Sequence, residues 1–435
     1  MGGPFDVRLR LPGSKSLTNR ALLLAALARG RSTLEGVLLS EDTRRMLEAL
    51  VALGFELEID EPARRVVVRG NGGRIPAPDA TLHLGNAGTA YRFLTAACCL
   101  GEAGATYELT GIPRMHERPI GQLVEPLRQL GARIDYLGEK GFPPLRVHGG
   151  GLRGGALTLT PTLSSQYISA LMQVGPCCDQ PLALRFDGPV TSLPYVRMTA
   201  GLMQRFGATL SADAGFSRLE IGTQPYVGGT YHVEPDASNA SYFLAAAAAL
   251  PGSRCVIEGL GRSSLQGDVG FLDVLARMGA DVEWRDDEMR CAAPPAGEGL
   301  RGVDVDLNAM PDMAQTLATL ATLARGETVI RNVGNLRVKE TDRLAALKRE
   351  LTKLGAAVRV EGDDLRVAGP ADGRIRPAAI DTYDDHRMAM SFAVVGLARP
   401  GVTIRQPACV AKTFPEYFDY LDRLREGLVA GEARR

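Results

Sequence analysis

The sequence predicts an α/β protein built from a repeated strand–helix–strand–helix–strand–strand unit. Two observations predict it. First, five segments share one pattern, in which an apolar helical stripe meets a glycine and then an alternating, strand-like run. They are LVALGFELEI, LRQLGARIDY, LMQRFGATLSA, LARMGADVEW and LTKLGAAVRV, and their glycines (Gly54, Gly131, Gly207, Gly279 and Gly355) are 77, 76, 72 and 76 residues apart. Second, helix starts of another series recur near Ser16, Gly88, Ser164, Ser238, Asp312 and His386, in steps of 72, 76, 74, 74 and 74. A shared period of this length is the mark of an internal structural repeat.

Each element of the unit has its own warrant. Four residues before each glycine stands Leu50, Leu127, Met203, Leu275 or Leu351, and just before it Leu53, Leu130, Phe206, Met278 or Leu354. Apolar residues at this spacing, closed by glycine, read as a helix with a glycine C-cap. The stretches that follow, such as FELEIDEPARRVVVRG and AAVRVEGDDLRVAGP, alternate about Pro, Gly or Asp turns and read as hairpins. A sixth such helix is expected at 417–424 with no hairpin after it, and the N-terminal run DVRLRLPG could supply a missing strand and draw the chain ends together. Periodicity leaves the packing of six units open: two lobes of three, a ring or a solenoid would all fit, the solenoid least well for units this long.

Composition narrows the class. The 435 residues predict two or three domains. A hydrophobic share of 45% and a charged share of 23% suit a folded chain with real cores. Fifty basic residues balance fifty acidic ones, so whole-chain charge gives no support for nucleic-acid or membrane-surface binding. The longest apolar runs, 21–28 and 243–250, are far too short to span a bilayer. The opening MGGPFDVRLR carries no signal-peptide core, and a cytoplasmic location is expected. Seven cysteines with no CxxC, and five histidines with no metal-ligand spacing, argue against a disulfide framework or a structural zinc site and predict reduced and mostly buried thiols.

The chemistry-bearing residues gather at one phase of the repeat. In LPGSKSLTNR, Gly13 permits a tight backbone, Lys15 offers an ammonium and Arg20 lies one turn into the helix. This is phosphate-cradle chemistry at a helix N-terminus, although the Walker A pattern is absent. In LGNAGTAYRFL, Gly85 and Gly88 let backbone approach a ligand, and Arg92 follows. In LSSQYISALM, Ser164, Ser165 and Gln166 suit a neutral, hydroxylated ring. Arg118, Lys339, Arg343, Arg387 and Lys412 stand before or at further helix starts and together describe a pocket for several phosphates or carboxylates. Asp312 and Glu340 lie among these cations, where an acid can transfer protons. Read singly, each also fits a plainer role, Asp312 as a helix cap and Glu340 as a salt-bridge partner.

LPGSKS..NR, LGNAGTA.R, the SSQ helix start, VKETDR, DDHRMAM and AKTFP, in order from Leu11 to Tyr417, resemble the 5-enolpyruvylshikimate-3-phosphate synthase family of enolpyruvyl transferases. The resemblance implies a two-lobed inside-out α/β barrel of six βαβαββ repeats, three per lobe, with a two-stranded hinge. It places residues 14–234 in a lobe mainly for shikimate 3-phosphate. Residues 1–13 plus 235–435 form a lobe mainly for phosphoenolpyruvate and the catalytic acids. The implied activity joins the two substrates in the shikimate pathway, toward chorismate and the aromatic amino acids, in a monomer inhibited by glyphosate, with no metal and no cofactor. Closure of the lobes on the anionic substrates would gather the helix N-termini.

By motif, the resemblance assigns shikimate 3-phosphate contacts to Lys15, Ser16, Arg20, Ser164, Ser165, Gln166, Ser192, Tyr195, Asp312, Asn335 and Lys339. Phosphoenolpyruvate contacts fall to Lys15, Gly88, Arg118, Gln166, Arg343, His386, Arg387 and Lys412. Asp312 would take the 5-hydroxyl proton, Glu340 would protonate C3, and Lys15 would lie between the substrates. Two positions depart from many relatives: Leu193 in SLPY stands where a basic residue is common, and Phe93 where some carry proline. The alternatives are a UDP-N-acetylglucosamine enolpyruvyl transferase, for which GIPRMHERPIG lacks the expected cysteine, an RNA 3′-phosphate cyclase, and a non-catalytic phosphosugar-binding protein.

Overall fold

Gly54, Gly131, Gly207, Gly279 and Gly355 all adopt left-handed backbone, with φ of 87°, 104°, 85°, 104° and 89°, in the computed structural model, which describes residues 3–160 and 164–425. After each one, the next residue's N–H donates to the carbonyl of the apolar residue four before the glycine: Phe55 to Leu50, Ala132 to Leu127, Ala208 to Met203, Ala280 to Leu275 and Ala356 to Leu351. This bond defines a Schellman cap, which a Cβ-bearing residue at the left-handed position would strain. The predicted stops are therefore one motif used five times.

The elements follow in chain order. They are β1 (Asp6–Leu9), α1 (Lys15–Leu27), β2 (Arg29–Glu35), α2 (Glu41–Ala52), β3 (Glu56–Asp60), β4 (Arg65–Asn71), β5 (Asp79–His83), α3 (Gly88–Cys98) and β6 (Thr106–Thr110). Next are α4 (Pro113–His116), α5 (Gly121–Gln129), β7 (Arg133–Tyr136), β8 (Leu145–His148), β9 (Gly155–Leu159), α6 (Ser165–Val174), β10 (Leu182–Phe186), α7 (Leu193–Arg205), β11 (Leu210–Ala212), β12 (Arg218–Ile221) and β13 (Thr230–His232). The chain continues with α8 (Ala237–Ala249), β14 (Arg254–Glu258), α9 (Phe271–Arg277), β15 (Asp281–Trp284), β16 (Glu288–Ala292), β17 (Asp304–Asp306), α10 (Ala314–Ala321) and β18 (Glu327–Arg331). It ends with α11 (Arg343–Lys353), β19 (Ala357–Glu361), β20 (Asp364–Ala368), β21 (Ala378–Ile380), α12 (His386–Ala398), β22 (Val402–Ile404) and α13 (Tyr417–Arg425).

Contacts divide the chain into Gly13–Val233 on one side and Met1–Pro12 with Glu234–Arg435 on the other. The first unit holds three four-stranded sheets, ordered β13-β2-β4-β3, β5-β6-β8-β7 and β9-β10-β12-β11. In each, the first two strands pair in parallel and the hairpin adds antiparallel. Because the chain enters this unit directly into α1, the first repeat takes its opening strand, β13, from the unit's far end.

The second unit holds sheets β1-β14-β16-β15 and β17-β18-β20-β19, and the two-stranded pair β21-β22. The N-terminal strand β1 runs parallel to β14, so the strand it supplies is the first of the fourth repeat. The sixth repeat ends in α13 without a hairpin among the described residues. Tyr420 Oη on that helix donates to the Arg10 carbonyl at 3.4 Å, which ties the segment after β1 to α13.

Two kinds of helix separate cleanly. α1, α3, α6, α8, α10 and α12 are buried along most or all of their length, as uniformly apolar helices must be. α2, α5, α7, α9 and α11 bury one stripe each. All seven cysteines are free thiols, five of them buried, and burial pushes Cys99 up to about 12. Among the described residues, no helix is long and apolar enough to cross a membrane.

Candidate functional site

In the unit Gly13–Val233, the site residues gather at the starts of the buried helices. Gly13 leads into α1 under a tight constraint: a Cβ there would fall 2.0 Å from the Gly36 carbonyl oxygen. Ser14 caps the helix by accepting from the Leu17 N–H at 3.4 Å. Lys15 Nζ lies 3.3 Å from Asp42 Oδ2 in the first turn of α2. Ser16 is half-buried beside it.

Arg20 is 1% exposed, yet no carboxylate among the described residues pairs with it. Its guanidinium donates to Thr199 Oγ1 (2.7 Å), Ser169 Oγ (3.2 Å) and the Ser16 carbonyl (2.9 Å), and lies 5.1 Å from the Phe93 ring centroid. Burial lowers it to about 10. A buried cation served only by neutral oxygens is short of negative charge, which an anionic ligand would supply.

Gly88 opens α3 where two guanidiniums converge. A Cβ on it would lie 2.5 Å from Arg92 Nη1 and 2.6 Å from Arg118 Nη2. Arg118 donates to the Asn86 carbonyl (3.1 Å) and to Asn86 Oδ1 (3.0 Å). Arg92 donates to the Gly88 carbonyl (2.8 Å) and sits over Tyr167, 5.5 Å from its centroid. Both arginines are 4% exposed. Two buried cations at a helix N-terminus are chemically suited to an anion.

Ser164 caps α6, accepting from the Gln166 N–H at 3.3 Å. Ser165 is buried, and Gln166 Nε2 donates to Thr89 Oγ1 at 3.2 Å, which ties the starts of α6 and α3 together. Ser192 caps α7 in left-handed backbone (φ 54°). Its carbonyl accepts from the Tyr195 N–H (3.1 Å), and the Tyr195 carbonyl accepts from Thr199 Oγ1 (2.8 Å), linking both residues to the Arg20 network.

In the other unit, one connected network holds Asp312, Glu340, Arg343, His386 and Arg387. Asp312 lies in the 3-10 turn Pro311–Met313 ahead of α10. Arg343, the first residue of α11, is 1% exposed and spans three acids: Nε to Asp385 Oδ2 (2.7 Å), Nη2 to Glu340 Oε2 (2.8 Å) and Nη1 to Asp312 Oδ1 (3.2 Å). Burial alone would lower the Arg343 pKa, but Asp385, Glu340 and Asp312 together raise it.

Arg387 donates to Asp312 Oδ2 (2.7 Å) and to Tyr242 Oη (3.3 Å), while burial pushes the Tyr242 hydroxyl up to about 12. His386 is fully buried, with Nδ1 3.7 Å from Asp385 Oδ1. Lys412 is buried at the end of the turn Pro407–Lys412, which packs on α12. Asn335 occupies the 3-10 turn Gly334–Val338, and Lys339 follows it, half-buried.

The sequence reading missed several functional partners. Sequence reasoning singles out His386 and Arg387 in DDHRMAM but not Asp385 just before them, yet Asp385 caps α12 by accepting from the Arg387 N–H (2.9 Å) and binds Arg343. Its signal was available, since an acid just before a helix start is a cap position. Tyr242, Asp42, Ser169 and Thr199 carried no local signal.

The fold and site thus define a class: a six-repeat α/β protein with buried cations at its helix starts and carboxylates paired with some of them. The family profile described as EPSP synthase (3-phosphoshikimate 1-carboxyvinyltransferase) matches residues 2–421. A 3-phosphoshikimate 1-carboxyvinyltransferase from Shewanella denitrificans is 47% identical over 425 residues, covering 97% of each chain. One from Yersinia pestis is 49% identical over 424 residues, covering 96% of each. Two solved EPSP synthase structures from Acinetobacter baumannii superpose with TM-scores of 0.79 and 0.78 at 26% and 25% identity; each match covers 98% of this chain, and 96% and 97% of theirs. The chain belongs to the EPSP synthase family and is a transferase.

Proposed function

We propose that this enzyme transfers the enolpyruvyl group of phosphoenolpyruvate to the 5-hydroxyl of shikimate 3-phosphate and releases phosphate. The shikimate 3-phosphate contacts are assigned to Ser16, Arg20, Ser164, Ser165, Gln166, Ser192 and Tyr195, and to Asn335 and Lys339. Neutral hydroxyls and an amide suit the ring, and the buried Arg20 cation suits its charge. Lys15 contacts both substrates. Gly88, Arg118, Gln166, Arg343, His386, Arg387 and Lys412 hold phosphoenolpyruvate, whose phosphate and carboxylate match paired guanidiniums.

In the first step the 5-hydroxyl oxygen bonds to C2, Asp312 takes the hydroxyl proton, and Glu340 delivers a proton to C3. The tetrahedral adduct then loses phosphate from C2 and a proton from the C3 methyl, which restores the double bond as an enol ether. Two carboxylates on one shared guanidinium, Asp312 and Glu340 both on Arg343, carry this reading. Glyphosate is the expected inhibitor, the working form is a monomer, and the location is the cytoplasm.

The test is phosphate release from phosphoenolpyruvate with shikimate 3-phosphate as acceptor and UDP-N-acetylglucosamine in parallel. Release only with shikimate 3-phosphate is expected; release with neither acceptor would reduce the chain to a binding protein.

A further inference from the structure

The turn between β21 and α12 delivers Asp385 and Arg387, and its backbone is not at rest. Tyr383 and Asp384 both hold φ 54°, the left-handed region that side-chain-bearing residues adopt singly and at a cost. Two in succession, the first a bulky tyrosine, persist only when something outside the turn imposes them.

The outside hold is on α11. Glu350 is fully buried there, seven residues and about two turns after Arg343, hence on the same helix face. Tyr383 Oη donates to Glu350 Oε1 at 2.6 Å. The Asp381 N–H donates to Oε2 at 3.0 Å. Lys353 Nζ bridges Glu350 Oε2 (2.6 Å) and Asp381 Oδ2 (2.7 Å), and Arg349 donates to Tyr383 Oη at 3.2 Å. Helix α11 therefore grips the turn twice, through Arg343 on Asp385 at its first residue and through Glu350 on Tyr383 and Asp381 further along.

We propose that Glu350 and Tyr383 are a pair of positioning residues for the anion site: their hydrogen bond imposes the left-handed turn that brings Asp385 onto Arg343 and onto the Arg387 N–H. The functional consequence rests on the reading that Arg343 and Arg387 hold phosphoenolpyruvate. Neither residue of the pair is among those assigned to substrate. A merely structural role for a buried acid would lower stability without favouring one substrate over the other. A positioning role acts on the arginines and so falls on phosphoenolpyruvate.

Tyr383→Phe in the full chain removes the hydroxyl and keeps the ring. The KM for phosphoenolpyruvate should rise on the order of tenfold, as expected for losing one hydrogen bond to a charged group, while the KM for shikimate 3-phosphate stays within about twofold. Asp384→Gly added to that variant should recover much of the loss, because glycine enters left-handed backbone freely.

A crystal structure of Tyr383→Phe gives the readout that needs no activity: φ at 383 and 384 should relax, and Arg343 Nε should part from Asp385 Oδ2. An unchanged turn, an equal rise in both KM values, or no rescue by glycine would overturn the proposal. If the unmodified enzyme fails to release phosphate, the functional reading falls, while the crystal structure still decides the positioning.

Discussion

The Asp312 carboxylate accepts from Arg387 at 2.7 Å, and its other oxygen accepts from Arg343 at 3.2 Å. The group assigned to take the hydroxyl proton is thus clamped by the two cations assigned to phosphoenolpyruvate. On that assignment, substrate and acid would compete for the same donors. An incoming phosphate or carboxylate that engages the guanidiniums weakens their hold on Asp312 and leaves it a better base. The acid would be activated by the arrival of its co-substrate, which ties proton removal to a filled site.

Asp312→Ala and Glu340→Ala should each lower kcat by about 10²- to 10⁴-fold, the usual scale for a positioned acid or base. Shikimate 3-phosphate binding, measured by titration, should stay within about threefold, because Arg20 and the hydroxyls assigned to it remain in both variants. Near-normal turnover in either variant would remove that residue from the mechanism.

Asp385→Ala should act on folding as well as function. The side chain is fully buried, caps α12 and binds the buried Arg343. Removing one partner of a buried pair costs about 3–5 kcal/mol, and losing a cap adds about 1. A large fall in thermal midpoint is expected. An unchanged midpoint would mean that Glu340 and Asp312 suffice to hold Arg343.

The repeat was legible because it is written in local chemistry. A Schellman glycine needs left-handed backbone wherever it occurs, so Gly54 through Gly355 announce their helix ends without help from tertiary contacts. The helix starts near Ser16, Gly88, Ser164, Ser238, Asp312 and His386 were legible for the same reason. The strand pairing was not, since nothing in DVRLRLPG says that its neighbour is β14, some 250 residues away. Partners followed the same division. Arg343 stands out in VKETDR, but Asp385, Tyr242 and Thr199 matter only because the fold places them against arginines.

Thr199→Val tests the Arg20 site. Thr199 Oγ1 accepts from Arg20 Nε, donates to the Tyr195 carbonyl and lies 2.9 Å from Ser169 Oγ. Valine keeps the shape and deletes all three bonds, leaving a buried cation with one fewer oxygen. The KM for shikimate 3-phosphate should rise on the order of tenfold, the scale of a lost hydrogen bond to a charged group, with that for phosphoenolpyruvate little changed. The opposite selectivity would move Arg20 to the other substrate.

Gly88→Ala asks what the missing side chain protects. The added methyl would meet Arg92 Nη1 at 2.5 Å and Arg118 Nη2 at 2.6 Å, contacts too short to keep. Both are the far ends of flexible side chains, so the methyl fits once the guanidiniums move. The fold should therefore tolerate the change, and alanine is the better helix former. The damage should fall on the anion site that the two cations form. We expect a thermal midpoint close to the parent's, a KM for phosphoenolpyruvate raised on the order of tenfold, and a KM for shikimate 3-phosphate nearly unchanged. Inhibition by glyphosate should weaken in the same variant if the inhibitor takes the place of phosphoenolpyruvate. Unaltered kinetics would show that Arg92 and Arg118 can shift without consequence, and would take Gly88 and Arg118 out of the binding site.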